Sequence, residues 1–255
     1  MTGASTGIGR ATAVRLAGAG WQVMAVARRA DRLEALAEET GVTPVVADLT
    51  TEAGIAAVRT ALGDTPLDAL VNVVGGARGA ESVERGSIAD WRWMFEANVI
   101  ATQALTAALL PALRKGAAAS PETPGTASIL TLTSTAALAA YPGGGGYNAA
   151  KFAEHALMEA LRLELVGEPL RVIEVAPGMV KTEEFALNRL GDAAAAEAVY
   201  AGVEHPLSAD DVARVIQSAL EMPAHVNLDL IVVRPVAQAA AHSLARGPLT
   251  LKEGS

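Results

Sequence analysis

Cysteine is absent from the 255 residues, which excludes a disulfide framework, a thiolate nucleophile and any zinc site built on sulfur. Histidine is almost as scarce. His155, His205, His225 and His242 are scattered with no spacing that would gather them around an ion, so no metal is expected. Positive charge is in deficit, with 20 Lys and Arg against 28 Asp and Glu and a net charge of -8. That sign is wrong for a surface that must neutralise the phosphates of a nucleic acid. Long apolar runs are missing too. The opening MTGASTGIGRATAVRLAGAG lacks the continuous apolar stretch of an export signal, and no run elsewhere reaches the roughly 18 apolar residues of a membrane span. A cytoplasmic protein acting on small molecules is expected.

What is present is a core. Hydrophobic residues make up 51% of the chain and charged ones 19%, the balance of a folded rather than a disordered protein. The length suits one large α/β domain. Short runs rich in Val, Ile and Leu alternate with longer Ala-rich amphipathic stretches, the pattern of parallel strands joined by crossover helices. Strands are predicted over residues 22–27, 43–47, 69–74, 128–133, 171–176 and 228–233. Helices are predicted over 8–19, 30–40, 52–62, 88–114, 147–166 and 209–222. Residues 115–126, KGAAASPETPGT, read as an exposed loop. No repeat is apparent.

The segment Thr2-Gly3-Ala4-Ser5-Thr6-Gly7-Ile8-Gly9 opens directly into the first helix. Glycines admit a pyrophosphate close to the backbone, where free N–H groups and the helix dipole attract it. Alone the motif is weak, because glycine-rich turns also cap ordinary helices. Arg28 and Arg29 follow the next strand, where an acidic residue would accept from a ribose 2′-hydroxyl and an arginine binds a 2′-phosphate. The pattern favours NADP over NAD, although two arginines also begin many solvated helices. Asp48-Leu49 and Asn72-Val73-Val74-Gly75 end the following strands, where ligands bind in open α/β sheets.

Tyr147 and Lys151 stand four residues apart on a predicted helix and share a face. The ammonium is expected to lower the phenol pKa and to suit Tyr147 to exchanging a proton with a carbonyl oxygen. Ser134 closes the strand before them and is expected to hydrogen-bond the same oxygen. Surface pairs of this spacing arise by chance, but order and spacing alongside the glycine turn argue against that here.

From residue 2 to about 238 the chain resembles the short-chain dehydrogenase/reductase family, in TGASTGIG, Ser134, YNAAK and Pro177-Gly178 with Thr182. The resemblance implies a doubly wound Rossmann fold and a tetrad of Asn98, Ser134, Tyr147 and Lys151, in which Asn98 anchors a water of the proton relay and Lys151 holds the nicotinamide ribose. It places Gly3, Ser5, Thr6, Gly7, Ile8, Gly9, Arg28 and Arg29 around the phosphates and adenosine, Asp48 and Leu49 at the adenine, and Asn72 with Gly75 near the ribose. Pro177, Gly178 and Thr182 would line the nicotinamide. Residues 179–205 would cover the substrate, with Met179, Phe185, Leu187, Tyr141 and Arg78 as candidate contacts; an ordinary surface helix is the alternative. The tail from Ala224 to Gln238 is similar to the branch acting on 3-hydroxy acids, including serine-type substrates. Relatives form dimers or tetramers through helices like those at 88–114 and 147–166. A non-catalytic NADP-binding regulator, or an epimerase or dehydratase that retains its nicotinamide, are the other functions this pattern serves.

Two features depart from the family pattern. Val73-Val74 replaces Asn-Ala, losing a side chain that ties central strands. The family's first strand would precede Thr2, where the sequence supplies Met1 alone. A strand missing from mid-sheet leaves both neighbours unpaired, so a start misassigned or truncated is expected, and a chain beginning at Met1 is expected to express poorly or bind NADPH weakly. Trp91 and Trp93 are expected in the core or a subunit interface.

Overall fold

The structure, a computed structural model, describes residues 1–120 and 125–251. The helices are α1 Gly7–Gly18, α2 Ala30–Thr40, α3 Glu52–Leu62, α4 Ile88–Phe95, α5 Ala101–Ala119, α6 Gly145–Glu164, α7 Phe185–Leu190, α8 Ala193–Tyr200 and α9 Ala209–Leu220. The strands are β1 Met24–Ala27, β2 Thr43–Val46, β3 Ala69–Asn72, β4 Ala127–Leu132, β5 Leu170–Pro177, β6 Val180–Lys181, β7 Leu207–Ser208, β8 Leu230–Val233, β9 Gln238–Ala240 and β10 Ser243–Leu244.

β1 pairs in parallel with β2, and β3, β4, β5 and β8 form a second parallel run in that order. Met1 and Thr2 lie between the two runs. Val26 N–H donates to the Met1 carbonyl at 2.8 Å, and Thr2 N–H to the Val71 carbonyl at 2.9 Å. The sequence of neighbours is therefore β2, β1, Thr2, β3, β4, β5, β8, with the winding reversing at Thr2. This is the doubly wound order, and such a reversal opens a ligand crevice at the carboxyl ends of the strands.

Side-chain alternation sends neighbouring strand residues to opposite faces. Ala25, Val71, Leu130, Ile173 and Val175 pack with Leu16 of α1, Leu33 of α2 and Ile216 of α9. Val26, Leu70, Ile129 and Val172 face the other way, onto Val58 of α3, Leu105 and Leu109 of α5 and Met158 of α6. Both faces are covered, which is why these strands read as near-continuous apolar runs.

The long helix expected over 88–114 is interrupted. Between α4 and α5 the chain makes a π-helical turn, Glu96–Ile100, a departure that hydrophobic periodicity does not reveal. Its continuation also overruns the expected loop, since α5 extends to Ala119. The reason is packing: Gly116 and Ala117 are buried, and a Cβ at Gly116 would overlap the Leu67 carbonyl oxygen. The small residues read as loop-forming are what let the helix lie against the preceding segment. Residues 121–124 of that expected loop lie outside the described residues.

Candidate active site

The glycine turn occupies the crevice. Gly3 adopts φ +64°, and a Cβ at Gly9 would overlap the Gly3 carbonyl oxygen, so the turn folds tightly onto the start of α1 only with glycine there. No acidic residue stands in the first turn of α1, and Thr6, its N-cap, makes no capping hydrogen bond. Thr6 Oγ1 is instead buried without a partner. An unpaired hydroxyl beside a helix start free of negative charge fits a phosphate-bearing cofactor.

Around this turn the carboxyl ends of the strands gather the other expected residues. Arg29, after β1, donates from Nη1 to Glu184 at 2.6 Å and from Nη2 to Ser5 Oγ at 3.1 Å. Arg28 is exposed and helps hold the Asp48 carboxyl below its ordinary range, although hydrogen bonding from Thr50 does more. Leu49 is buried in the core. Asn72 is buried as well and donates to Thr106 and Thr131 at 3.3 and 3.5 Å, so its side chain fastens β3 to its neighbours. Thr2 supplies another tie, its hydroxyl accepting from the N–H groups of Val73 and Val74 at 2.9 and 3.1 Å. Thr182 lies against Gly7. Gly178 N–H donates to the Val233 carbonyl at 2.7 Å, and Met179 N–H donates to Gln238 Oε1 at 2.7 Å. Gln238, absent from the expected set, holds this turn in place.

Ser134, Tyr147 and Lys151 converge. Ser134 ends the segment after β4 and accepts from Ala136 N–H at 3.1 Å. Tyr147 lies in the first turn of α6, which is fixed there by its neighbour: Asn148 Nδ2 donates to the carbonyls of Ala136 and Ala139 at 2.8 and 3.2 Å. The Tyr147 phenol stands close enough to Ser134 for that hydroxyl to draw its pKa down, and Lys151 Nζ lies 6.0 Å from its ring centre. Trp91, Trp93 and Tyr141, partly buried, pack against the cluster that holds Met94 and Tyr147, so the tryptophans sit at the margin of the core.

Electrostatics differs from the expectation. Burial pushes the Tyr147 phenol up, and the opposing pulls of Lys151 and the Ser134 hydroxyl do not offset it. One cause is an acid that the sequence reading overlooked. Lys151 Nζ donates to Glu154 Oε2 at 2.6 Å and to the Leu132 carbonyl at 3.2 Å. Burial works against the ammonium, but Glu154, Tyr147 and Glu174 outweigh it and hold its pKa above the ordinary value. Burial pushes Glu154 itself up to about 7. Beyond it, Glu174 accepts from Thr133 Oγ1 at 2.6 Å and faces His155 Nδ1 at 2.6 Å. The signal was a glutamate at i+3 from Lys151 on the buried stripe of Ala150, Met158 and Leu161.

Asn98 sits in the π turn, fully buried. Its amide donates to the carbonyls of Met94 and Gly76 at 2.6 and 3.0 Å, and its oxygen accepts from Gly76 N–H at 3.1 Å. The side chain is thus spent on clamping the loop that carries Gly75 and Gly76 beside the crevice.

The segment from β6 to β7 lies against these groups. β6 pairs with β7, and α7 and α8 lie between them in the chain. The Phe185 ring meets the Tyr147 ring edge-on at 5.9 Å. Leu187 is 41% exposed, on the outer side of α7. Arg78 stacks over Trp93 at 4.0 Å and pairs with Asp90 at 3.7 Å. Tyr141 receives a hydrogen bond from Arg189 Nη1 at 3.1 Å. Arg189 was not expected; it stands in a segment of mixed polarity and gains its place only through that segment's fold.

Residues 1–193 match the family model described as short chain dehydrogenase. An uncharacterized oxidoreductase of Mycobacterium tuberculosis is 49% identical over 250 residues, covering 98% of this chain and 95% of its own. Sulfoacetaldehyde reductase 2 of Chromohalobacter salexigens is 37% identical over 245 residues, 94% of each chain. Among solved structures, the closed form of serine dehydrogenase complexed with NADP+ superposes with a TM-score of 0.86 at 30% identity, over 99% of this chain and 98% of the other. With its glycine turn and its serine, tyrosine and lysine brought together at the sheet's carboxyl edge, the chain belongs to the short-chain dehydrogenase/reductase family, oxidoreductases acting on CH–OH groups.

Proposed function

We propose that the protein interconverts a carbonyl and a secondary or primary alcohol on a small acid of the 3-hydroxy acid class, with NADP(H) as cofactor. The observation that carries this reading is the Tyr147 phenol beside Ser134 with Lys151 Nζ 6.0 Å from its ring centre, in contact with Phe185 of the segment whose Thr182 lies against Gly7 of the glycine turn. The cofactor choice is supported by Arg28 and Arg29 at the end of β1 and by the NADP+ complex of the similar serine dehydrogenase. The substrate class is supported by the named relatives, since serine and sulfoacetaldehyde both join an acid group to a hydroxyl or aldehyde carbon.

The glycine turn, Thr6 and the start of α1 would hold the pyrophosphate, and Arg28 and Arg29 the 2′-phosphate. Bound NADPH supplies the hydride. Ser134 orients the substrate oxygen, and Tyr147 gives it a proton as negative charge develops there. A phenol pushed up by burial remains protonated at neutral pH, as a donor in the reducing direction must. Lys151 stays charged beside it, ready to pass on a proton and to hold the ribose. Asn98 keeps the neighbouring loop in register, and Phe185 with the segment from β6 to β7 excludes water from the reaction. The chain is read as one catalytic unit, with residues 179–205 as its substrate cover.

Tyr147→Phe is expected to lower turnover by about 10²–10⁴-fold, the range for loss of a general acid, while NADPH binding followed by cofactor fluorescence is retained. Activity close to that of the parent protein would refute the mechanism. The same assay run with NADH tests the cofactor: a preference for NADH would overturn the reading of Arg28 and Arg29.

A further inference from the structure

We infer that Arg189 is the receptor for the substrate's anionic group, binding a carboxylate or sulfonate while Tyr147 and Ser134 hold the reacting oxygen. The inference rests on the proposed reading of the substrate as a small acid and names the residue that recognises it.

Arg189 reaches inward from α7, partly buried. Its guanidinium carbon lies 5.8 Å from the Tyr147 ring centre and 5.6 Å from that of Tyr141. Three neutral acceptors fix it: Nε donates to the Gly79 carbonyl at 3.1 Å, Nη1 to the Tyr141 hydroxyl at 3.1 Å and Nη2 to the Gly143 carbonyl at 3.0 Å. A guanidinium carries five N–H donors, so each Nη keeps one for another partner.

The absence of a counter-ion is the informative part. Arg10, Arg15, Arg29, Arg32, Arg78, Arg114, Arg162 and Arg214 pair with carboxylates, whereas Arg28, Arg59, Arg85, Arg92, Arg234 and Arg246, which form no ion pair among the described residues, stand exposed to solvent. Arg189, beside the catalytic tyrosine, forms no ion pair among the described residues. The acids on this side of the molecule are otherwise placed, with Asp90 facing Arg78 and Glu81 packed beside Gly79. Partial burial of a cation without a counter-charge is costly, and an arriving anion relieves that cost. A planar fork held by three anchors is also pre-organised for two-oxygen recognition of carboxylate or sulfonate.

The same bonds fasten α7 to the segments near Gly79 and Gly143, so a purely mechanical role predicts a different result. The test uses the purified enzyme with saturating NADPH, and acetoacetate and methyl acetoacetate as charged and neutral probes of nearly equal size. Arg189→Gln is expected to lower kcat/KM for acetoacetate about 100-fold, as when one partner of a desolvated charge pair is lost. The methyl ester should change less than about threefold, within the scatter of contacts that carry no charge. Arg189→Lys, which keeps the charge but loses the fork, should fall between the two on acetoacetate and leave the ester unchanged; it carries the test if the glutamine variant is unstable. Equal losses on acid and ester would show that Arg189 only staples α7 in place and would overturn the inference. A parent enzyme that reduces the ester but not the acid would overturn it too. Failure of the parent on every carbonyl, with NADPH bound, would instead refute the proposed function.

Discussion

Lys151 and Glu154 share a proton economy that sequence spacing alone does not convey. An acid whose pKa rises on folding binds a proton that the unfolded chain has already released, so stability falls as pH rises across the interval between the two values. For Glu154 the interval runs from the ordinary 4.5 to about 7. Glu154→Gln removes this dependence. Urea unfolding at pH 5 and 7.5 is therefore expected to show the parent protein losing more stability over that range than the variant. Parallel behaviour of the two proteins would show that Glu154 is not the titrating group. That Tyr147, Lys151 and Ser134 come together was legible, because a four-residue step along a helix and a strand end just before it bring side chains to one place. The ionic setting was not legible: whether the ammonium or the burial prevails at the phenol depends on a carboxylate one helical turn away and on how dry the crevice is.

Among elements, the helices and strands whose ends coincide with glycine, proline or a capping residue were placed to within a few residues. α2, which ends before Gly41 in the left-handed conformation, and α3, capped by Thr51, match their expected limits. The departures came where packing against distant chain overrides local preference, in the π turn around Asn98 and the extension of α5 through Gly116. Glycines in α1 separate the two situations. Gly9 abuts the Gly3 carbonyl, whereas a Cβ at Gly18 would meet nothing within 4 Å. Gly9→Ala is expected to lower both the melting temperature and NADPH affinity, because the turn that would cradle the pyrophosphate must move. Gly18→Ala should raise stability by about 0.5–1 kcal/mol, the usual gain of alanine over glycine in a helix. If thermal melts and fluorescence titrations treat the two variants alike, the close approach at Gly9 is unimportant.

Over the whole molecule, the doubly wound topology was legible because alternating strand and helix patterns admit few arrangements, and the strand order follows from right-handed crossovers. Assembly is a separate matter. Ile100, Phe152, Leu163 and Val166 are between 41% and 83% exposed, in or next to the helical regions expected to join subunits, and burying each fully would contribute roughly 1.5–3 kcal/mol. We propose a homodimer or homotetramer through these regions. Sedimentation equilibrium should return a mass of two or four chains, and Ile100→Glu combined with Phe152→Glu should reduce it to one. A parent protein that sediments as a single chain at micromolar concentration would rule the assembly out. No helix among the described residues is long and apolar enough to cross a membrane.

The segment from β6 to β7 is tethered at both ends of the reaction zone. Glu184 grips Arg29 beside the glycine turn, and Arg189 grips Gly79, Tyr141 and Gly143 around the tyrosine. As the proposed substrate cover, the segment would have to undo these tethers to admit one molecule and undo them again to discharge another. Such traffic, more than the chemistry beneath it, commonly sets the tempo of an enzyme, and here it would make turnover slow in proportion as the solvent is thickened with glycerol.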